Sequence, residues 1–284
     1  MFLRLVKLEL FKIFSKWRTY IGFIAIGILV PIIHFAMLAE GQTLIEVSTR
    51  VLRNTFDFEG ELINGYMVTR IIMQFLFINI PLLITLVGGD MLAGEATSGT
   101  YRLVLVRPIS RLQLISAKYI AGAIYVILMV IWLYILALGL GILIFGTGDM
   151  IVVRYAINII PASDVLWRYE IAFLYAIMSM LVVYTISFFF SSFVENSIGP
   201  IITTMAILIV LNILNLIDIG SFAVIQEFFF TTHMNAWILL FEKEVNYDIL
   251  LRSTYILLGH VVVLTGATFI YFNKKDISSW NISF

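Results

Sequence analysis

Cysteine is absent from the 284 residues, which excludes disulfide frameworks, thiolate metal sites and cysteine nucleophiles. Charge is scarce at 13%, about half the usual share of a soluble domain, and the net charge is zero, so nothing in the balance points to nucleic acid as a partner. Histidine is nearly absent too. His34, His233 and His260 lie far apart, none has a ligand-spaced companion, and each reads as a packed or interfacial side chain rather than a metal ligand. There is no G-x-x-x-x-G-K-[ST] phosphate loop, no G-x-S-x-G elbow and no H-E-x-x-H helix. ATP bound in the phosphate-loop manner therefore belongs to another chain.

What fills the sequence is apolar: 61% of residues, with a mean hydropathy of +1.03. Runs free of Asp, Glu, Lys and Arg cover 19–39, 71–89, 119–148, 171–194, 196–217 and 253–273. About 20 apolar residues cross the hydrocarbon core as a helix, so six spans are predicted. Residues 228–241 form a seventh, 14-residue run, which at that length dips into the membrane instead of crossing. The expected fold is all-α and integral to a membrane, in a single domain over 1–284. It has an interfacial helix over 1–18, a polar region over 89–118 between spans two and three, and a re-entrant outer region over 218–250.

Residues 2–18 have helical amphipathicity. At about 100° per residue, Phe2, Leu3, Val6, Leu10, Ile13, Phe14 and Trp17 share one arc, while Arg4, Lys7, Glu9, Lys12, Lys16 and Arg18 take the other half. Such a helix lies in the headgroup plane with its lysines toward anionic lipid. Its charges are spread through the apolar residues and no small-residue cleavage site follows, so it does not read as a signal peptide. With the N-terminus inside and six spans, the cytoplasmic pieces hold 11 of the 18 Lys and Arg, the arrangement the positive-inside rule favours. Both termini are then cytoplasmic. The outer stretches 40–65, 149–170 and 218–250 read as short helices lying on or dipping into the outer leaflet.

Polar residues inside the spans are scattered: Gln74, Asn79 and Thr85 in the second, Thr203, Thr204, Asn212 and Asn215 in the fifth. In hydrocarbon such groups face protein or water, so they line a mildly polar pathway or serve as helix–helix glue. Pro31 and Pro81 fall within the first two spans as kink positions. No span contains a carboxylate. That weighs against an ion-coupled secondary transporter and against a membrane-embedded enzyme, an intramembrane hydrolase or lipid transferase using His233, Glu227 or His260.

The most specific stretch is the polar island Gly88–Lys118, GGDMLAGEATSGTYRLVLVRPISRLQLISAK. Helix formers are broken at Ser98-Gly99-Thr100, Pro108 stops any helix built before it, and Ser110 stands where an N-cap would begin the next. Arg111 and Lys118 put positive charge at the start of the third span. A short helix, a stop and a freshly capped span make a lever pressed against a membrane helix.

Glu95, Gly99-Thr100, Pro108-x-Ser-Arg111 and Lys118 resemble the E…GT…P-x-S-R…K signature of type-2 ATP-binding-cassette (ABC-2) permeases. The likeness extends to the amphipathic first helix, the six spans, the outer connection between the fifth and sixth, and the tail Tyr271–Ile277 (YFNKKDI). The resemblance implies a permease in a bacterial plasma (inner) membrane, not itself an enzyme. It would pair with a second copy or a sister permease, and dock two copies of a separate ATPase subunit that carries ATP and Mg. The ATPase-coupling residues would be Glu95, Gly99, Thr100, Tyr101, Pro108, Arg111 and Lys118, and the transported class lipids, drugs, peptides or glycans. The uncharged spans point to a hydrophobic or amphipathic substrate.

Overall fold

A computed structural model describes residues 1–53, 63–97, 110–153, 157–217 and 223–274. Gly99, Thr100, Tyr101 and Pro108 lie outside the described residues.

The N-terminal helix α1 (Phe2–Phe14) is followed after two residues by α2 (Trp17–Arg53), then α3 (Gly65–Gly88) and a short α4 (Asp90–Thr97). Next come α5 (Arg111–Tyr134), a π-helical turn (Ile135–Gly139) and α6 (Leu140–Phe145), which together form one long rod. A hairpin of β1 (Met150–Val153) and β2 (Ile157–Ile160) leads into α7 (Ala162–Ser191) and α8 (Ile198–Leu214). Beyond them are α9 (Ala223–Gln226), α10 (Phe230–Met234), a 3-10 helix (Asn235–Phe241) and α11 (Tyr247–Lys274).

Among the described residues, five helices are long and apolar enough to cross a membrane: those beginning at Trp17, Gly65, Arg111, Ala162 and Tyr247. The segment expected as the fifth span is an apolar helix of 17 residues, Ile198–Leu214. Large apolar side chains such as Phe35, Leu38, Phe75, Ile78, Leu143 and Val262 stand exposed along these helices. An apolar surface of that extent is at home in lipid, and the chain is a multi-pass membrane protein.

The centre of the bundle is α7. It packs against α3, α5, α8 and α11, and 72% of its apolar window is buried against 17% for α11. Its start corrects the expected span: the helix begins at Ala162, not 171, and in the added turns Asp164 and Arg168 neutralise each other at 2.6 Å. Likewise α2 runs on through Arg53, so residues 40–53 continue the first long helix instead of forming a separate one. Pro31 and Pro81 both lie inside their helices.

Two further local features differ from the sequence expectation. Met150–Ile160 is an antiparallel hairpin, with Met150 opposite Ile160 and Ile151 opposite Ile159, where a short helix was predicted. Its two arms, MIVV and INII, are dominated by β-branched residues, which fit a pleated ribbon better than a helix. The π turn at Ile135–Gly139 has no proline or other sequence marker. Its Ala137 carbonyl is met by the Thr69 hydroxyl of α3 at 3.0 Å.

Close packing at one end of α3 and α6 depends on glycine. A Cβ on Gly65 would sit 2.5 Å from the backbone of Gly141. Gly146 ends α6 at φ 69, a conformation glycine adopts without strain, and its carbonyl accepts the Gly65 N–H at 2.9 Å.

Candidate functional site at the island helix

The helix α4 begins one residue after α3 ends, separated only by Gly89. Its first turn is capped from another helix: Ser191 of α7 accepts from the Leu92 and Ala93 N–H groups at 3.1 and 2.9 Å and donates to the Gly89 carbonyl at 2.7 Å. A helix N-terminus leaves such N–H groups without intrahelical partners, so one buried hydroxyl replaces a local cap. The Thr97 hydroxyl at the far end donates to the carbonyls of Ala93 and Glu195, and Ser197 donates to Asp90 Oδ1 at 2.7 Å. The α7–α8 turn thus holds the island helix at both ends.

Its acidic face meets the basic N-terminal helix. Glu95 Oε1 lies 2.9 Å from Lys12 Nζ and 2.6 Å from Lys118 Nζ. Glu9 of α1 completes the group, with Oε2 2.8 Å from Lys118 and Oε1 2.7 Å from Lys12. A second group lies one turn away, where Asp90 accepts from Lys16 at 2.6 Å and Arg18 at 3.0 Å. Lys118 and Glu9 are almost fully buried, whereas Lys12, Lys16 and Arg18 are about half exposed. Burial works against the Lys12 charge, but Glu95 and Glu9 outweigh it and hold its ammonium above the usual value.

Lys118 can reach this group because α5 packs along α1 and starts at a well-defined point. Ser110 caps α5 in the predicted place: its Oγ accepts from the Gln113 N–H at 3.1 Å, and the Gln113 side chain accepts from the Ser110 N–H at 3.3 Å. That reciprocal capping box fixes where the helix begins. Lys118 then falls two turns in, on the face toward α1.

The structure therefore brings together Glu95 and Lys118 and adds Glu9, Lys12, Asp90, Lys16 and Arg18. Glu9 corrects the helical-wheel reading, which put it on the charged half toward headgroups. It is buried with Val6 and Ile13 against the bundle. Arg111 stands apart from the cluster and donates to the Asn273 carbonyl at 3.3 Å, near the end of α11. Cationic side chains are well placed at the carbonyl end of a helix.

The expected pathway residues do not converge. Gln74, Asn79, Thr203 and Asn212 are exposed on the chain, and Asn79 and Asn212 donate to carbonyls one turn back on their own helices. Thr204 is buried and bonds the Pro200 carbonyl. Asn215 reaches Thr231 and Thr232 at 2.9 Å each, so it joins the end of α8 to α10.

Of the residues considered for catalysis, His233 Nδ1 lies 2.9 Å from Ser253 Oγ and its Nε2 2.7 Å from the Glu227 carbonyl. The Glu227 carboxylate is turned to Arg252 at 2.7 Å. His260 bonds the Ile256 carbonyl and lies edge-on to Phe230.

Residues 21–278 match the family described as "Protein of unknown function (DUF2705)", and the chain belongs to that family. Asp90, Glu95 and Lys118 fall inside the matched range; Glu9, Lys12, Lys16 and Arg18 precede it. A relative described as "Uncharacterized protein YhcI", from Bacillus subtilis (strain 168), is 28% identical over 116 residues. That match spans 39% of this chain and 37% of the relative.

Proposed function

We propose that the chain is the transmembrane permease subunit of an ABC exporter. It would couple ATP hydrolysis on a separate nucleotide-binding subunit to export of a hydrophobic or amphipathic substrate or a glycan. The observation that carries this reading is the position of Lys118, 2.6 Å from Glu95 and 2.8 Å from Glu9. Through that one ammonium, a displacement of the island helix is passed to the first turns of the third long helix and to the N-terminal helix. Buried, opposed charges in a low-dielectric site resist separation, so the linkage behaves as a strut.

In this reading residues 98–109, which hold Gly99, Thr100, Tyr101 and Pro108, meet the ATPase. Two ATPase copies bind ATP and Mg, and a second copy or a sister permease completes the pathway. The 17-residue α8 then serves as the fifth of six spans, the short helices over 223–241 are re-entrant, and both termini face the cytoplasm of a bacterial inner membrane. The test is coexpression with candidate cassette ATPases, followed by purification and measurement of ATP turnover. Glu95→Gln is expected to leave the complex assembled while transport and substrate-stimulated turnover fall together. A chain that neither co-purifies with an ATPase nor alters its turnover refutes the proposal.

The contact between Ser253 and His233 favours a second reading, a membrane-embedded hydrolase or transferase acting without ATP. In it the Glu227 carbonyl fixes the imidazole tautomer. Ser253 is buried at 2% exposure, so its hydroxyl is shielded from substrate. Activity of the purified chain without ATP that disappears in Ser253→Ala would establish this reading in place of the first.

A further inference from the structure

Between α1, the start of α2 and the junction of α3 with α4 lies a half-open pocket of about 490 Å³. Its lining holds four cations, Lys12, Lys16, Arg18 and Lys118, against three acids, Glu9, Asp90 and Glu95, an excess of one positive charge. The charges are not evenly committed. Lys118 is enclosed between two carboxylates, while among the described residues Lys16 and Arg18 give one hydrogen bond each, both to Asp90. Most of the N–H donors on these two half-exposed heads are therefore available to another acceptor. The remaining wall is mostly apolar, formed by Phe11, Ile13, Val87 and Met91 together with Ser15 and Thr19.

We propose that this pocket binds the phosphate of an acidic phospholipid, held by Lys16 and Arg18, with the glycerol end of the lipid against Phe11 and Met91. A phosphate oxygen suits the planar fork of an arginine, and charge-assisted bonds of this kind are the stronger class. A lipid is favoured over a free phosphate ion because the pocket couples its cations to an apolar wall at the end of the long helices. Trp17, between the two cationic residues in sequence, is 74% exposed in the manner of an interfacial aromatic. Bound there, the phosphate shares Lys16 and Arg18 with Asp90, so lipid occupancy loosens one of the two ionic links between the N-terminal helix and the island. The inference rests on the chain's place in a membrane and on no ATPase, so its test is run on this chain alone.

The experiment is native mass spectrometry of the purified full chain titrated with phosphatidylglycerol, phosphatidylcholine or inorganic phosphate. The expected result is retention of phosphatidylglycerol in preference to phosphatidylcholine. Its apparent affinity should fall about tenfold or more in Arg18→Gln. Arg18→Lys, which keeps the charge and loses the fork, is expected to show a smaller loss, and Lys7→Gln, on the same basic segment but outside the pocket, none. Equal retention of both lipids, unchanged affinity in both Arg18 variants, or an equal loss in Lys7→Gln overturns the proposal. Inorganic phosphate that displaces the lipid completely at millimolar concentration overturns the assignment to a lipid.

Discussion

Lys118 Nζ stands between Glu9 Oε2 at 2.8 Å and Glu95 Oε1 at 2.6 Å, with 1% of its side chain exposed. Removing the ammonium takes away the buried cation that the two carboxylates share, while the half-exposed Lys12 stays beside both. Lys118→Met is expected to cost about 3–5 kcal/mol, the range for breaking a buried ion pair on one side. Restoring the balance by also neutralising Glu9, in Glu9→Gln/Lys118→Met, should recover a large part of that loss. Thermal or denaturant unfolding in detergent measures both. A double variant no more stable than Lys118→Met would show that charge balance is not what the cluster provides.

Lys12 gives the same cluster a dependence on pH. Its folded-state pKa lies above the ordinary 10.5, so its contribution is fully present below that value and is lost as pH rises through the higher folded one. Thermal stability should decline on the alkaline side of pH 10.5. Lys12→Arg, which stays charged throughout, should show a shallower decline. Parallel alkaline limbs in the two proteins would count against the assignment.

Gly65 lets α3 approach the backbone of α6. Gly65→Ala places a methyl group 2.5 Å from Gly141 main-chain atoms, which have no side-chain freedom with which to yield. A loss of about 1–3 kcal/mol is expected. Gly266→Ala, where among the described residues nothing beyond the helix's own backbone and adjacent residues lies within 4 Å of the added carbon, should be neutral or slightly stabilising. The pair of midpoints read side by side decides the matter.

Arg168 performs a different task at the 3-10 helix. One guanidinium nitrogen donates to the Leu240 and Glu242 carbonyls at 2.5 and 2.7 Å, while the others hold Asp164. Arg168→Met removes the donor that these two carbonyls share and is expected to cost about 2 kcal/mol, with faster amide exchange across Asn235–Phe241. Arg168→Lys should rescue it only in part, because three ammonium donors on one nitrogen replace four bonds spread over the guanidinium. Protection unchanged in the methionine variant would show that the 3-10 helix is held by packing alone.

Within the described part of the island, the cap and two charges were legible in the sequence. Ser110 is a cap because a hydroxyl two residues after a proline stop has an open N-terminus to satisfy, and Glu95 and Lys118 stood out as charges beside apolar runs. Glu9 was not assigned correctly because a helical wheel sorts residues by hydropathy and cannot see a buried cation on another helix. One signal was present: Glu9 is the only carboxylate in the first 39 residues, alone among five basic side chains. Ser191 and Ser197 carried no such mark, since which hydroxyl caps a helix or meets its carboxylate across the bundle is decided by tertiary packing. The early start of α7 was hidden for a related reason. Counting charges ends a span at Glu170, with Arg168 and Asp164 just beyond it, although the latter two cancel at 2.6 Å.

The π turn at Ile135–Gly139 changes how the long rod from Arg111 to Phe145 must be read. A π turn takes in about one residue more than an α turn, and one residue corresponds to roughly 100° of rotation. Residues after Gly139 therefore present faces out of phase with those before Ile135. A labelling scan built on this cysteine-free chain would show two separate accessibility rhythms in one continuous helix, and the residue at which the phase slips would locate the π turn without a structure.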